Sequence, residues 1–253
     1  MGLLDGKLII ITGAAGGIGS ATADVVHEEG ATVVAVGRDT SEVALIASAR
    51  SDDRWHPTEL DVTDPDAVDR VFTAVIEGFG RIDGLVNNAG VLIPHDVPSS
   101  SLREFDAIFG VNVRGTYLCC RAALPAMIAQ GAGSIVNIGS INSIGAEKQL
   151  ALYVASKGAV LMLTKAIALD HAHQGVRANV VCPGFVDTPF NVPHYELLGG
   201  REQLERSLSE FQPIGRPIEA REVAHPIAFL LSDRSSAMTG SAVLVDGGVL
   251  AGA

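Results

Sequence analysis

The chain has 253 residues, 47% of them hydrophobic, enough to build one large α/β core. Its 18 lysines and arginines against 29 aspartates and glutamates leave a net charge of -11, which argues against nucleic acid or an anionic membrane surface as a partner. Three cysteines, the adjacent Cys119 and Cys120 and the distant Cys182, offer no disulfide framework and fit a reduced, cytoplasmic setting.

The first residues run directly into an apolar strand, KLIIIT, so no signal peptide is expected, and no apolar run is expected to reach the length of a membrane span. Short apolar runs then alternate with longer stretches of helical period. A helix runs through Val26, then come the strand ATVVAV, the helix DAVDRVFTAVIEGFG and the strand IDGLVNN. In that helix Asp64 suits the cap, Pro65 the first turn, and Val68, Phe72 and Val75 fall on one core-facing stripe. A long helical stretch from about Leu102 to Gln130 precedes the strand GSIVNIGS, and a helix carrying Tyr153 follows. After VRANVVCPG the segment Phe185 to Gly200 is irregular and rich in Pro and Gly; helices near 201–210 and 219–231 and a last strand, SAVLVDGG, complete the chain. This rhythm predicts an α/β fold, a parallel sheet with helices on both faces, in a single domain over residues 1–253.

IIITGAAGGIGSATADVV places a strand, a glycine turn and a helix in immediate succession. Gly13, Gly17 and Gly19 let the backbone turn tightly, approach a pyrophosphate and pack the new helix on the sheet, with Ile18 between the last two. The helix N-terminus then faces the anion, so dinucleotide binding is expected.

The spacing TGxxxGxG, the NNAG at 87–90, Asn112, Ser140, the YxxxK of Tyr153 and Lys157, and Pro183 with Gly184 appear in order over nearly the whole chain. Together they resemble the short-chain dehydrogenase/reductase family. The resemblance implies a doubly wound Rossmann-type fold, an NAD(P)-dependent oxidoreductase and a homotetramer. It also implies roles: Asp61 and Val62 at the adenine, Asn88, Ala89 and Gly90 along the cofactor, Lys157 on the nicotinamide ribose, and Asn112 anchoring a water in the proton path. Pro183 and Gly184 would back the nicotinamide, Thr188 would bond its carboxamide, and about 185–215 would form a substrate lid. Which dinucleotide is bound depends on AVGRD after the second strand. Arg38 suits a 2'-phosphate and Asp39 is placed to neutralise it, so NADP and NAD both remain open, with NADP favoured.

Tyr153 and Lys157 stand four apart on a helix and so share a face. A phenol can give a proton to an alkoxide, or take one from an alcohol, if its pKa falls from about 10 toward operating pH. A fall of two or three units is worth roughly 3 to 4 kcal/mol, and an ammonium about 4 Å away at an effective dielectric near 20 contributes about that much. Ser140 ends the preceding strand, where its hydroxyl would hold the substrate oxygen. The lid side chains Phe190, Val192, His194, Tyr195, Leu197 and Leu198, with mouth segments Val91–His95 and Ile141–Leu150, read as mainly apolar and without an arginine clamp. A neutral, fairly apolar ketone or secondary alcohol is therefore expected as the small-molecule substrate. The rivals are a reductase of 3-oxoacyl groups on a carrier protein and, outside enzymes, a cofactor-sensing binding module. His171 and His173 near a helix end, and the paired cysteines, read as structural, and no metal is expected.

Overall fold

The computed structural model describes residues 2–50, 52–197 and 199–252. Among these, seven strands form one sheet: β1 (Leu8–Thr12), β2 (Thr32–Gly37), β3 (Trp55–Glu59), β4 (Gly84–Asn87), β5 (Gly133–Ile138), β6 (Val176–Pro183) and β7 (Ala242–Val245). Their order is β3-β2-β1-β4-β5-β6-β7, and every neighbouring pair is parallel. The order reverses between β1 and β4, which opens a crevice at the carboxyl ends of those strands.

Side chains alternate across the pleat, so each strand feeds two cores. Ile9 and Ile11 of β1 pack with Val25 of α1 (Gly17–Glu28) and Ile227 of α9 (Ala220–Leu231). Leu8 and Ile10 pack on the other face with Phe72 of α3 (Pro65–Phe79) and Met127 of α5 (Thr116–Gln130). Helix α3 starts as its sequence predicts: Asp64 accepts from the backbone of Asp66 and Ala67, Pro65 opens the first turn, and Gly80 ends it at φ 74°.

The stretch from Leu102 to Gln130 is not one regular helix. It divides into α4 (Leu102–Phe109), a π-helical segment (Gly110–Gly115) and α5, with α2 (Thr40–Ala49) standing earlier between β2 and β3. The wide turn falls at Asn112, whose amide grips the backbone of Val91: Oδ1 accepts from the N–H at 2.8 Å and Nδ2 donates to the carbonyl at 3.0 Å. The irregular segment after β6 holds a 3-10 turn (Pro189–Asn191) and α7 (Val192–Leu197), and α8 (Arg201–Phe211) follows.

Helix α6 (Ala151–His171) corrects the expectation about membrane spans. With the turn that follows, Ala151–Gln174 contains an 18-residue stretch that is long and apolar enough to cross a membrane by length and composition, at a mean hydropathy of 1.5. Its apolar residues serve two faces: Val160, Leu161 and Ile167 are buried in the fold, while Met162 and Leu169 are exposed.

Candidate active site

A cleft of about 330 Å³ runs across the carboxyl ends of the strands. At one end the chain leaves Thr12 and turns through Gly13 at φ 66° and Gly17 at φ 57° into α1. Among the described residues no side chain caps this helix at Gly16, which leaves its first N–H groups to meet an anion from the cleft that Gly16, Gly17 and Ile18 line. Gly19 stands behind the wall. A Cβ there would lie 2.0 Å from the Gly13 carbonyl oxygen, so only glycine lets the helix pack this closely. The Thr12 hydroxyl accepts from the backbone of Asn88 and Ala89, at 3.1 Å each, and Asn88 Nδ2 donates back to the carbonyls of Thr12 and Gly13. Backbone donors, no side-chain bulk and a helix N-terminus together suit the pyrophosphate of a dinucleotide.

The adenosine end differs from expectation. Arg38, Asp39, Asp61 and Val62 do not line the cleft, whereas Glu42, which the sequence reading passed over, does. Asp39 caps α2 through the N–H groups of Ser41 and Glu42, and the Ser41 hydroxyl first among several donors holds its carboxyl down to about 2. Its other oxygen lies 3.2 Å from the Arg38 guanidinium, which also approaches Glu42 at 3.4 Å. Glu42 Oε2 accepts from the Arg38 backbone at 2.7 Å. Asp61 is taken up by the hydroxyl and N–H of Thr63, and Val62 is buried against Gly115.

At the reacting end Ser140, Tyr153 and Lys157 line the same cleft as Asn88, Ala89 and Gly90. The strand carrying Ser140 and the helix carrying Tyr153 meet there, so the sequence pairing becomes a spatial one. Burial pushes the Tyr153 phenol up, and the nearby Ser140 hydroxyl only partly offsets this. Lys157 Nζ donates to the Ile138 carbonyl at 2.7 Å and stands 5.7 Å from the centre of the Tyr153 ring. Burial brings the ammonium down to about 8. The expected lowering of the phenol by its lysine neighbour is thus not found, because desolvation dominates both groups. Asn112 lies behind the wall and also donates to Ser156 at 3.0 Å, which ties the segment after β4 to α6. Pro183, Gly184 and Thr188 line the cleft. Gly184 has no room for a side chain, since its Cβ would meet Gln212 Oε1 at 2.6 Å.

The substrate end is less apolar than its sequence suggests. Leu92, Leu150 and Phe190 line it, but so do Asn142, Glu147 and His194. Tyr195 turns away into a separate cluster with Phe185, Leu204 and Leu208; Val192 and Leu197 are exposed, and Leu198 lies outside the described residues. Glu147 is the acidic residue in the segment Ile141–Leu150, a signal that reading this stretch for its apolar residues obscured.

The chain belongs to the short-chain dehydrogenase/reductase family and is an oxidoreductase of that class. A family model described as enoyl-(acyl carrier protein) reductase matches residues 13–250. The chain is similar to the meso-2,3-butanediol dehydrogenase of Serratia marcescens, 38% identical over 247 residues that cover 98% of this chain and 96% of that protein. It is similar to the 3-oxoacyl-[acyl-carrier-protein] reductase of Thermotoga maritima, 37% identical over 98% of this chain and 99% of that one. Among solved structures it resembles a gluconate 5-dehydrogenase from Burkholderia cenocepacia in complex with NADP and tartrate, with a TM-score of 0.90, 32% identity, and coverage of 99% and 97% of the two chains.

Proposed function

We propose that the protein interconverts a small ketone and its secondary alcohol with NAD(P), Tyr153 acting as general acid and base. The observation that carries this reading is the meeting of Tyr153, Ser140 and Lys157 in one cleft with the glycine turn. The bound dinucleotide supplies or accepts hydride. The chain's own residues do the rest. Gly13, Gly17 and Ile18 bind the pyrophosphate with backbone N–H groups, and Asn88, Ala89 and Gly90 line its course. Pro183, Gly184 and Thr188 back the nicotinamide end, with Gly19, Asp61 and Val62 shaping the walls from behind. Ser140 holds the substrate oxygen, and Tyr153 gives that oxygen a proton in reduction or removes one in oxidation. A phenol pushed up by burial suits the donor role. Lys157 contributes positive charge beneath the ring, and Asn112 fixes the spacing between the segment after β4 and α6.

Arg38 favours NADP, although Asp39 and Glu42 draw on the same guanidinium. The domain is read as one NAD(P)-binding unit over 1–253 with a lid about 185–215. Exposed apolar side chains on the flanks, Phe105, Tyr117, Met162 and Leu169 among them, support a homotetramer, which a solution mass would test. Three buried free thiols accord with a cytoplasmic setting, and the charge of -11 with neither nucleic acid nor membrane as partner.

The test is a matrix of both cofactors against ketones and secondary alcohols, followed by absorbance of the reduced nicotinamide. Turnover with small carbonyl compounds is expected. Cofactor binding without redox change across the panel would instead support a sensing module. The Thermotoga relative keeps a second reading in view, reduction of 3-oxoacyl groups on a carrier protein, and faster turnover of acyl-carrier substrates would establish it.

A further inference from the structure

One wall of the cleft carries chemistry that the redox step does not use. Glu147 Oε2 accepts from Asn142 Nδ2 at 3.2 Å, and Oε1 stands 2.9 Å from His194 Nε2. His194 belongs to α7, so the lid and the segment before α6 meet at this carboxylate. His194 is only 7% exposed, and its Nε2 lacks the alignment of a hydrogen bond despite its closeness to Glu147. Burial opposes ionisation of Glu147, but His194 and Asn142 together outweigh it and leave the carboxyl below the usual glutamate range. The charge is near enough to the reacting end to push the Tyr153 phenol up. Asn142 is itself linked to that end, its backbone N–H donating to the Ser140 hydroxyl at 3.1 Å.

These groups select among ligands. A substrate carboxylate or phosphate placed here would face an ionised Glu147 and be repelled. An ammonium could pair with Glu147 but, as a donor only, could accept nothing from the second N–H of the Asn142 amide or from the imidazole of His194. A hydroxyl donates one hydrogen bond and accepts others, so it matches a wall that offers a carboxylate acceptor beside an amide and an imidazole. The adjoining Leu92, Leu150 and Phe190 suit a short alkyl remainder.

We propose that Glu147, with Asn142 and His194, binds a second hydroxyl on the carbon next to the reacting one, which makes the substrate class a short vicinal diol and its α-hydroxyketone. This rests on the redox reading above. It places substrate discrimination on a carboxylate separate from the proton-transfer group.

The test compares secondary butanol, the stereoisomers of vicinal butanediol and the matching amino alcohol, with wild type, Glu147→Gln and Glu147→Leu, using whichever dinucleotide turns over. Wild type is expected to favour a diol over the mono-alcohol by about ten- to a hundredfold in kcat/KM, the range of a hydrogen bond to a charged group. Glu147→Leu should erase that ratio, and Glu147→Gln, an uncharged acceptor of the same shape, should keep part of it. Calorimetry of diol binding to the protein loaded with oxidised cofactor should show the same ranking without turnover, and melting temperatures check that each variant is folded. Equal use of the two alcohols by wild type, a ratio unchanged in Glu147→Leu, or preference for the amino alcohol would each overturn the hydroxyl assignment while leaving the redox reading intact. Absence of any oxidation or reduction with either bound cofactor would bring down the redox reading, and this proposal with it.

Discussion

The two ends of the cleft are built from different materials. At the glycine turn the surface is backbone: Gly13, Gly17 and the open start of α1, held by Thr12 and Asn88. At the substrate end it is side chains delivered by separate segments, Ser140 and Asn142 after β5, Glu147 before α6, and His194 from α7. A backbone site tolerates few residue types, because a Cβ in the wrong place collides with main chain that cannot move. A side-chain site allows many residues at each position and takes its meaning from pairs. In the function proposed above, the first end sets which class of cofactor is held, and the second sets which molecule reacts with it.

The largest effect expected from breaking either end is at Tyr153. Tyr153→Phe removes one oxygen and nothing that the core depends on, since the ring still packs with Leu92 and Leu150. Turnover should fall about a hundred- to ten-thousandfold, the usual contribution of a positioned acid or base, while cofactor affinity measured by fluorescence titration stays within about twofold. Turnover within tenfold of wild type would remove Tyr153 from the chemistry. Gly19→Val attacks the opposite end and should behave oppositely. Its Cβ would fall 2.0 Å from the Gly13 carbonyl oxygen and 2.4 Å from Asn88 Nδ2, so the helix must shift away from the turn. Denaturant melts should show a loss of about 1–3 kcal/mol, and cofactor binding should disappear with it. Retention of full cofactor affinity would contradict the packing role given to this glycine.

The same contrast explains what could be read from the sequence. Helix α3 was legible because Asp64, Pro65 and the stripe through Val68, Phe72 and Val75 act locally. The glycine turn was legible for the same reason. Strand β3 gave little signal: its WHPTE includes Pro57 and pairs with β2 alone, so it needs neither the continuous apolar run nor all the N–H donors of a central strand. The π-helical turn was hidden because it accompanies the grip of Asn112 on Val91, a contact between distant segments. Glu147 and His194 were hidden together. Each alone reads as a surface residue on a loop or lid, and only the fold brings them within 2.9 Å.

Lys157 tests the reacting end through pH. Burial holds its ammonium at about 8 against 10.5 for an unburied lysine. The unfolded chain therefore keeps this proton to higher pH than the folded one, so the group costs stability below about 8, and that cost disappears as pH rises from about 8 to 10.5. The difference between the two values corresponds to about 3 kcal/mol. Lys157→Met should be more stable than wild type at pH 7 by up to about that amount, with the gap closing by pH 10.5 in urea melts. Taking the difference between the two proteins cancels Cys119, Cys120 and Tyr153, while Cys182, which interacts with the Lys157 charge, is removed from the comparison by placing Cys182→Ser in both. A gap that does not change with pH would mean that the lysine is charged without penalty and that its setting is wetter than its burial indicates.

The smallest effect is at the adenosine end, where one carboxylate serves two purposes. Asp39 caps α2 and also engages the Arg38 guanidinium at 3.2 Å. Removing it should lower stability slightly, as loss of an N-cap does. The Arg38 guanidinium would then keep its looser contact with Glu42 at 3.4 Å and be freer to meet a 2'-phosphate. Asp39→Ala should therefore lower the melting temperature slightly while raising the ratio of NADP to NAD affinity, two changes that a general loosening of the fold would not produce together. If the ratio is unmoved, Arg38 does not face the ribose. Selection would then fall to Glu42, the acidic side chain on the cleft wall, and Glu42→Gln becomes the variant that shifts the preference toward NADP.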